Sequence, residues 1–476
     1  MKILYVSSEA VPYSKSGGLG DVAGALPEKI SESADVTLIT PLYKKSAGFV
    51  PGLKKITDLS VDLAGDTLNC TVFEAVNRKN FRALLVSNDL FFAREFIYGN
   101  NEREYHDNFF RYLFFQKSII NFIINEGKGY DIIHLNDWQT SLLPALIKEN
   151  DAEILRRSAC VLTIHNLGYQ GIFEHYFFRD TGLPGHYFTP DSLEFYGKMN
   201  FLKAGIVHSD RIVTVSPTYA GEILAPGTGA GLDGVLNRHA EKLSGILNGA
   251  DYTVWNPETD PAIYRNYSAE SFGRKKENKT GLLREYNIPF KEKAPLAVMI
   301  SRLTSQKGIG LLIDSIHDLK KSDINFIILG TGEKELESVL DDLAADNPRL
   351  VFFKKFDEEL SHRLYAAADI YVMPSLYEPC GLSQLYALRY GAVPVVSPAG
   401  GLVDTVDKIT SKGGTGFRLS GKTSADLSSA LLEAAELFKL SPDWEKVAVR
   451  GMGKDFSWNK PGKSYLKIYR QLIKEK

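Results

Sequence analysis

A short apolar strand that runs through two prolines into a helix constrains this chain more than any other stretch. Residues 369–373, Asp-Ile-Tyr-Val-Met, mix β-branched and aromatic side chains and lead straight into Pro374. Pro374 and Pro379 bracket a stiff loop, since each fixes φ and removes a backbone donor. Glu378 lies between them, which puts a carboxylate in the strand-to-helix crossing where open α/β sheets bind ligands. After Gly381, residues 382–390 have helical composition, and the first turn of that helix aims N–H groups back at the loop. Gly391 closes the helix, residues 393–397 form the next expected strand, and Gly400-Gly401 opens a further helix. A helix cap is the plain reading of Glu378, but a carboxylate held between two prolines points to function.

The same alternation recurs along the chain. Expected strands at 3–7, 35–40, 132–135, 161–164 and 212–215, then at 295–301, 326–329 and 350–353, are each followed by a loop and a helical stretch. That order predicts parallel sheets with crossover helices. At 476 residues the chain exceeds one comfortable core. Pro, Gly and turn formers concentrate in residues 245–261, which predicts two Rossmann-like α/β domains, 1–253 and 254–455. Residues 456–476 remain as a terminal helix whose apolar face is Tyr465, Leu466, Ile468, Tyr469, Leu472 and Ile473. Pro27 falls inside the first expected helix, so a kink or a late helix start is predicted there.

Composition narrows the partners. A formal charge of −2 leaves no electrostatic footprint for nucleic acid or anionic lipid. The longest apolar run, 109–124, contains Arg111, Gln116 and Lys117, and is expected as a buried helix rather than a membrane span. Cys70, Cys160 and Cys380 are odd in number and far apart, which argues for a reducing compartment. Glu9 interrupts the N-terminus before a signal-peptide apolar region forms, so a cytoplasmic protein is expected.

Polar residues gather just after the expected strands. Lys15-Ser16-Gly17-Gly18-Leu-Gly-Asp21 is a glycine-rich loop opening a helix, with Lys15 beside N–H groups that could receive an anion. Gly18, Gly20 and Gly24 have nearly the spacing of a dinucleotide fingerprint. That fingerprint needs an acid at the end of the second strand, where Pro41-Leu42-Tyr43 stands instead. Asp137 and His165-Asn166 follow two later strands; His134, inside a strand, is expected to be structural. Asp before a helix is often a cap, which is the plain alternative for Asp137. Arg302 and Lys307 sit at another strand-to-helix junction, where an Arg and a Lys suit a diphosphate better than a solvated surface pair. No two aspartates lie two positions apart, so an Asp-x-Asp metal clamp is missing and no metal site is expected.

These segments resemble the bacterial glycogen synthases and plant starch synthases, retaining glycosyltransferases of family 5. K-S-G-G-L-G-D-V, N-D-W-Q-T, I-H-N-L-G-Y-Q-G, G-I-L-N-G-A-D, W-N-P-E-T-D, S-R-L-T-S-Q-K-G, E-P-C-G-L and A-G-G-L-V-D-T-V occur in family order over essentially the whole chain. The resemblance implies the GT-B fold: two facing Rossmann-like domains, with the terminal helix crossing back to the first. It implies transfer of glucose from ADP-glucose, or UDP-glucose as the alternative donor, to the 4-hydroxyl of glycogen, with no cofactor and no metal required. It also implies roles for particular residues. Lys15, Ser16, Gly17, Gly18 and Asp21 would lie near the diphosphate, as would Arg302 and Lys307. His165, Asn166, Asn248 and Asp137 would line the glucosyl subsite, with Glu378 on the sugar and the amides of Cys380, Gly381 and Leu382 on its hydroxyls. Phe356 would stack on the base and Tyr98 would approach the distal phosphate. Ser16 stands where the family most often has Thr, keeping the hydroxyl and losing a methyl. Only one carboxylate near the expected donor, Glu378, is persuasive as a catalytic group, which does not support a covalent double displacement. Rival readings are another GT-B transferase or an epimerase, a phosphorylase carrying pyridoxal phosphate, and a catalytically inactive glucan-binding or regulatory protein.

Overall fold

The computed structural model describes residues 1–44, 50, 52–99, 103–291, 293–410 and 413–476. The chain divides into two compact units, the first formed by Met1–Gly249 with Trp458–Lys476 and the second by Ala250–Ser457. The breaks thus fall at 249/250 and 457/458, against the expected 253/254 and 455/456.

Unit 1 is built on strands β1 (Lys2–Val6), β2 (Asp35–Pro41), β3 (Lys54–Leu63), β4 (Asp66–Arg78), β5 (Phe81–Ser87), β6 (Ile132–Asn136), β7 (Ala159–Ile164), β8 (Ile172–Glu174), β9 (Glu194–Phe195), β10 (Lys198–Asn200), β11 (Arg211–Thr214) and β12 (Leu243–Gly245). Nine of them form one sheet in the order β12-β11-β7-β6-β1-β2-β5-β4-β3. It is parallel from β12 to β5, but β4 runs antiparallel to both β5 and β3. The expectation of a purely parallel sheet is corrected at this edge. There the chain turns back through Ala64-Gly65, both at positive φ, the two-residue geometry that matches strand twist. Leu59, Val61 and Leu63 alternate with exposed residues, so one face of β3 is buried and the other is wet. β8, β9 and β10 form a separate small antiparallel sheet.

Helices account for the rest of the core. The apolar run becomes the helix Asn108–Glu126 and is buried nearly all round. Its fully buried Arg111 donates to the carbonyls of Phe91 and Ile97 and to Asn108 Oδ1, which offsets much of the desolvation cost. The first helix begins at Gly18 and runs through Pro27 to Ser31, so no late start occurs. The terminal helix Asn459–Glu475 packs on that helix and buries Tyr465, Leu466, Tyr469 and Leu472. Ile473 lies outside the buried face. Tyr469 Oη and Thr163 Oγ1 take the two ring nitrogens of His134, which is wholly buried and structural.

Unit 2 carries a six-stranded, all-parallel sheet of β13 (Leu296–Ile300), β14 (Asn325–Leu329), β15 (Leu350–Phe353), β16 (Ile370–Met373), β17 (Val393–Val396) and β18 (Phe417–Arg418). Its order is β15-β14-β13-β16-β17-β18, with helices between successive strands. Order reverses beside β13, so loops leaving β13 and β16 open at a topological switch point.

Candidate active site

Each unit places its candidate residues just beyond the C-terminal ends of its parallel strands. In unit 2, β13 leads to Arg302 and Lys307, β15 to Phe356, β16 to Glu378 and β17 to Gly400. The two loops flanking the switch point are locked together. Leu376 N–H donates to the Gln306 carbonyl at 2.9 Å, and a Cβ on Gly308 would stand 2.1 Å from the Pro374 carbonyl oxygen. Gly308 has φ +69, so both the close approach and the turn require glycine.

That docking brings Lys307 Nζ to 2.6 Å from Glu378 Oε2, and Ser375 Oγ donates to the same oxygen at 2.9 Å. Glu378 is 5% exposed and does not cap the following helix, Ser383–Arg389, whose N-cap is Leu382. The capping alternative is excluded. Arg302 is exposed, and among the described residues its guanidinium meets no acid. Cys380 is a buried thiol, Gly381 has φ +74, and no acceptor among the described residues takes the N–H groups of Gly381 and Leu382. The side-chain oxygens of Gln384 and Ser397, also buried here, have no hydrogen-bond partner. Phe356 presents its ring to solvent at 77% exposure, where a flat ligand can stack.

Unit 1 differs from expectation at the glycine loop. The N–H groups of Ser16 and Gly17 both bond to Glu9 Oε2, while Ser16 Oγ and Tyr98 Oη donate to Glu9 Oε1 at 3.0 and 2.9 Å. The loop's first N–H groups are therefore taken, not open to an anion. Burial raises the Glu9 pKa from its ordinary value against the lowering effect of these four donors. Lys15 pairs with Asp21 at 2.7 Å, both side chains about a quarter exposed, so a phosphate would compete with Asp21 for that cation. Tyr98 also meets Ser8 Oγ at 2.8 Å. Glu9 is the residue that sequence reasoning missed; its position just after β1 was the available signal.

Asp137 and His165 come together behind β6 and β7. Asp137 Oδ1 accepts the His165 N–H at 2.7 Å, and the Asn166 N–H also bonds to the carboxyl. Burial, reinforced by Glu9, pushes the Asp137 pKa up to about 7 despite those two donors. Asp137 caps no helix with its side chain; its backbone lies at φ 55, ψ −175, a region nearly reserved for glycine. Strain of this kind, costing about 1–3 kcal/mol, persists where surroundings over-determine it, and clusters at functional sites. Here the Asp137 N–H is held by the Thr163 carbonyl, and its carbonyl by Ser141 Oγ. His165 Nε2 lies 2.9 Å from Asn136 Oδ1, whose amide nitrogen already donates to Val6. Nε2 therefore carries the proton, which leaves Nδ1 as an acceptor. Burial holds the imidazole pKa down to about 3, so it works as a neutral group. Asn166 takes the Gly168 N–H in the same loop. Asn248 follows β12 and is 5% exposed, and its Oδ1 has no hydrogen-bond partner. Such a buried orphan fits a ligand hydroxyl.

Comparison with known proteins bears on the whole length. Residues 2–238 match the family described as starch synthase catalytic domain, and residues 285–448 the one described as glycosyl transferases group 1. A glycogen synthase of Thermodesulfovibrio yellowstonii is 40% identical, with 100% of this chain and 99% of that one covered. One from Thermotoga maritima is 40% identical over 99% of each. The catalytic domain of starch synthase IV from Arabidopsis thaliana, solved with ADP and acarbose bound, aligns at TM-score 0.92 and 29% identity over 99% of both chains.

Proposed function

The chain belongs to the glycogen synthase family, with the two α/β units of the GT-B fold, and we propose that ADP-glucose is its donor. As a glucosyltransferase of this family it joins glucose from a nucleotide sugar to a glucan. In this proposal the glucan's non-reducing 4-hydroxyl attacks from the side of the leaving group, and configuration is retained. The hydroxyl proton passes to the departing phosphate oxygen.

The contact between Lys307 and Glu378 carries the reading. A glycosyl diphosphate develops positive charge on the sugar and negative charge on the leaving oxygen as its bond breaks. A buried carboxylate next to a lysine, with an arginine after the same strand as that lysine that meets no acid among the described residues, meets both needs without a protonated acid. Arg302, Lys307 and Lys15 would stabilise the diphosphate, with Ser16, Gly17, Gly18, Asp21 and Tyr98 shaping the loop beside it. Glu378 would face the ring, and the amides at Cys380, Gly381 and Leu382 its hydroxyls. His165 Nδ1, Asn166, Asn248 and Asp137 would bind the remaining hydroxyls. Charge stabilisation in this scheme comes from side chains, so it calls for neither metal nor cofactor. We place the protein in the cytoplasm, in keeping with three cysteines that form no disulfide among the described residues, where no helix is long and apolar enough to cross a membrane.

The test is a side-by-side rate measurement with ADP-glucose and UDP-glucose, glycogen being the acceptor. ADP-glucose is expected to be faster, and a clear preference for UDP-glucose would overturn the donor assignment. Nucleoside diphosphate release that depends on added glucan separates an active enzyme from an inactive glucan binder.

A further inference from the structure

The small β8–β10 sheet leaves two tyrosine rings in solvent where folding alone gives them no reason to be. Tyr196 is 82% exposed and Tyr176 is 67% exposed, the first and third most exposed of the large hydrophobic side chains among the described residues, with Phe356 between them. Tyr196 also stands at φ 50, followed by Gly197 at φ 78, in the two-residue turn between β9 and β10. Asn or Gly suits the first such position, and an aromatic ring there adds strain. The two rings are placed in concert. Glu174 pairs with Lys198 across the antiparallel ladder, and Tyr176 and Tyr196 each lie two residues beyond that pair, toward the same end. Phe173 and Met199 turn inward, while Ile172, Glu174 and Lys198 are exposed, with Glu174 and Lys198 bridged at 2.7 Å.

Both rings are firmly mounted. Tyr176 lies 4.3 Å from Phe177, centroid to centroid, and Phe177 stacks on the buried Phe109. Tyr196 lies edge-on to Phe195 at 4.7 Å, and Phe195 in turn closes on Gly231, where a Cβ would stand 3.0 Å from its ring. Contact with a neighbouring ring narrows the rotamers each tyrosine samples, which lowers the ordering cost of binding. The sheet also adjoins the candidate site, since β8 starts at Ile172, directly after the loop of residues 165–171 that carries His165 and Asn166.

We propose that Tyr176 and Tyr196, with Glu174 and Lys198 between them, form a surface platform on which an α-1,4-glucan chain docks outside the reaction site. The C–H faces of glucose stack on aromatic rings, and hydroxyls at the ring edge bond to charged groups such as this Glu-Lys pair. The inference rests on the reading that the protein elongates a glucan.

The experiment compares the unmodified protein with Tyr176→Ala, Tyr196→Ala, their double variant, and Tyr196→Phe. Retardation in gels containing glycogen is measured alongside kinetics with glycogen and with maltotriose as acceptors. The double variant is expected to lose about tenfold in glycogen affinity and to raise the KM for glycogen similarly, at about 1.4 kcal/mol per tenfold. Its kcat and KM with maltotriose should stay unchanged, and Tyr196→Phe should behave as the unmodified protein. A double variant with unaltered retardation and glycogen KM overturns the platform. So does an equal loss with maltotriose, which would place the rings in the reaction site. If the unmodified protein transfers glucose to neither acceptor, the proposed function fails, while retardation in glycogen still tests the platform.

Discussion

Each unit presents a buried carboxylate against a loop that sequence reasoning assigned to a diphosphate, yet the two carboxylates are satisfied in opposite ways. In unit 2 Glu378 is held by a cation, Lys307, and by one hydroxyl. In unit 1 Glu9 is held only by neutral donors, two backbone N–H groups and two hydroxyls, and the nearby cation Lys15 pairs with Asp21 instead. An ion pair at a strand end is a reservoir of charge that a ligand can draw on from either side. A carboxylate wrapped in backbone donors is a brace: it sets the loop's shape and leaves little for a ligand to take. On this contrast we propose a chemical role for Glu378 and a positioning role for Glu9.

Glu378→Ala is the strongest test of that contrast. Loss of one fixed charge acting mainly in the transition state costs on the order of 3 kcal/mol, or about a hundredfold in kcat. Removing Glu378 also releases Lys307 from its ion pair, so the KM for the donor should hold or fall. A raised KM at unchanged kcat would make Glu378 a mere binding contact and dissolve the contrast.

Glu9→Gln should do less. The amide keeps one oxygen for the N–H groups of Ser16 and Gly17 and turns its NH2 toward the two hydroxyls, which can rotate to accept. Losing a charge-assisted brace of this kind costs about 1–2 kcal/mol. The expected outcome is a donor KM raised up to about tenfold, with kcat nearly intact, in steady-state kinetics. A fall in kcat matching that of Glu378→Ala would show both carboxylates acting in the reaction.

The smallest effect lies in stability. Asp137 has its pKa raised in the folded protein to about 7 from an ordinary value near 3.8, chiefly by burial. Folding therefore takes up a proton between those values, so this group's contribution to stability falls as pH rises from about 4 to about 7 and is flat outside that window. Asp137→Asn keeps a neutral acceptor for the His165 and Asn166 N–H groups and removes the titration. Relative to the unmodified protein, the variant should gain up to about 1.4 kcal/mol per pH unit across that window in denaturant midpoints. His134 and His165, both held down to about 3, act with the opposite sign, losing stability as pH falls below about 6.5, and remain in both proteins. An unchanged pH profile would mean that Asp137 is ionised throughout, like an ordinary surface acid.

The sequence by itself determined the periodic order of strands and helices, the two α/β units and the strand ends at which polar residues gather. Those features are local: β-branched runs, glycines at turns and prolines at loop edges act on their own neighbours in the chain. His134 could be set aside as structural, and the loop around Glu378 singled out, on the same grounds. Tertiary structure alone decided which group answers which. Lys307 and Glu378 are 71 residues apart and meet because Gly308 lets one loop press on the Pro374 carbonyl. Glu9 reaches the N–H groups of Ser16 and Gly17 because the chain folds back after β1, which no spacing rule for glycine loops contains. At the antiparallel edge β4 pairs its own chain neighbours β3 and β5, and what tertiary structure decided there is that β5 lies beside β2. A buried polar group must find a partner, and which strands lie side by side settles what partner is within reach.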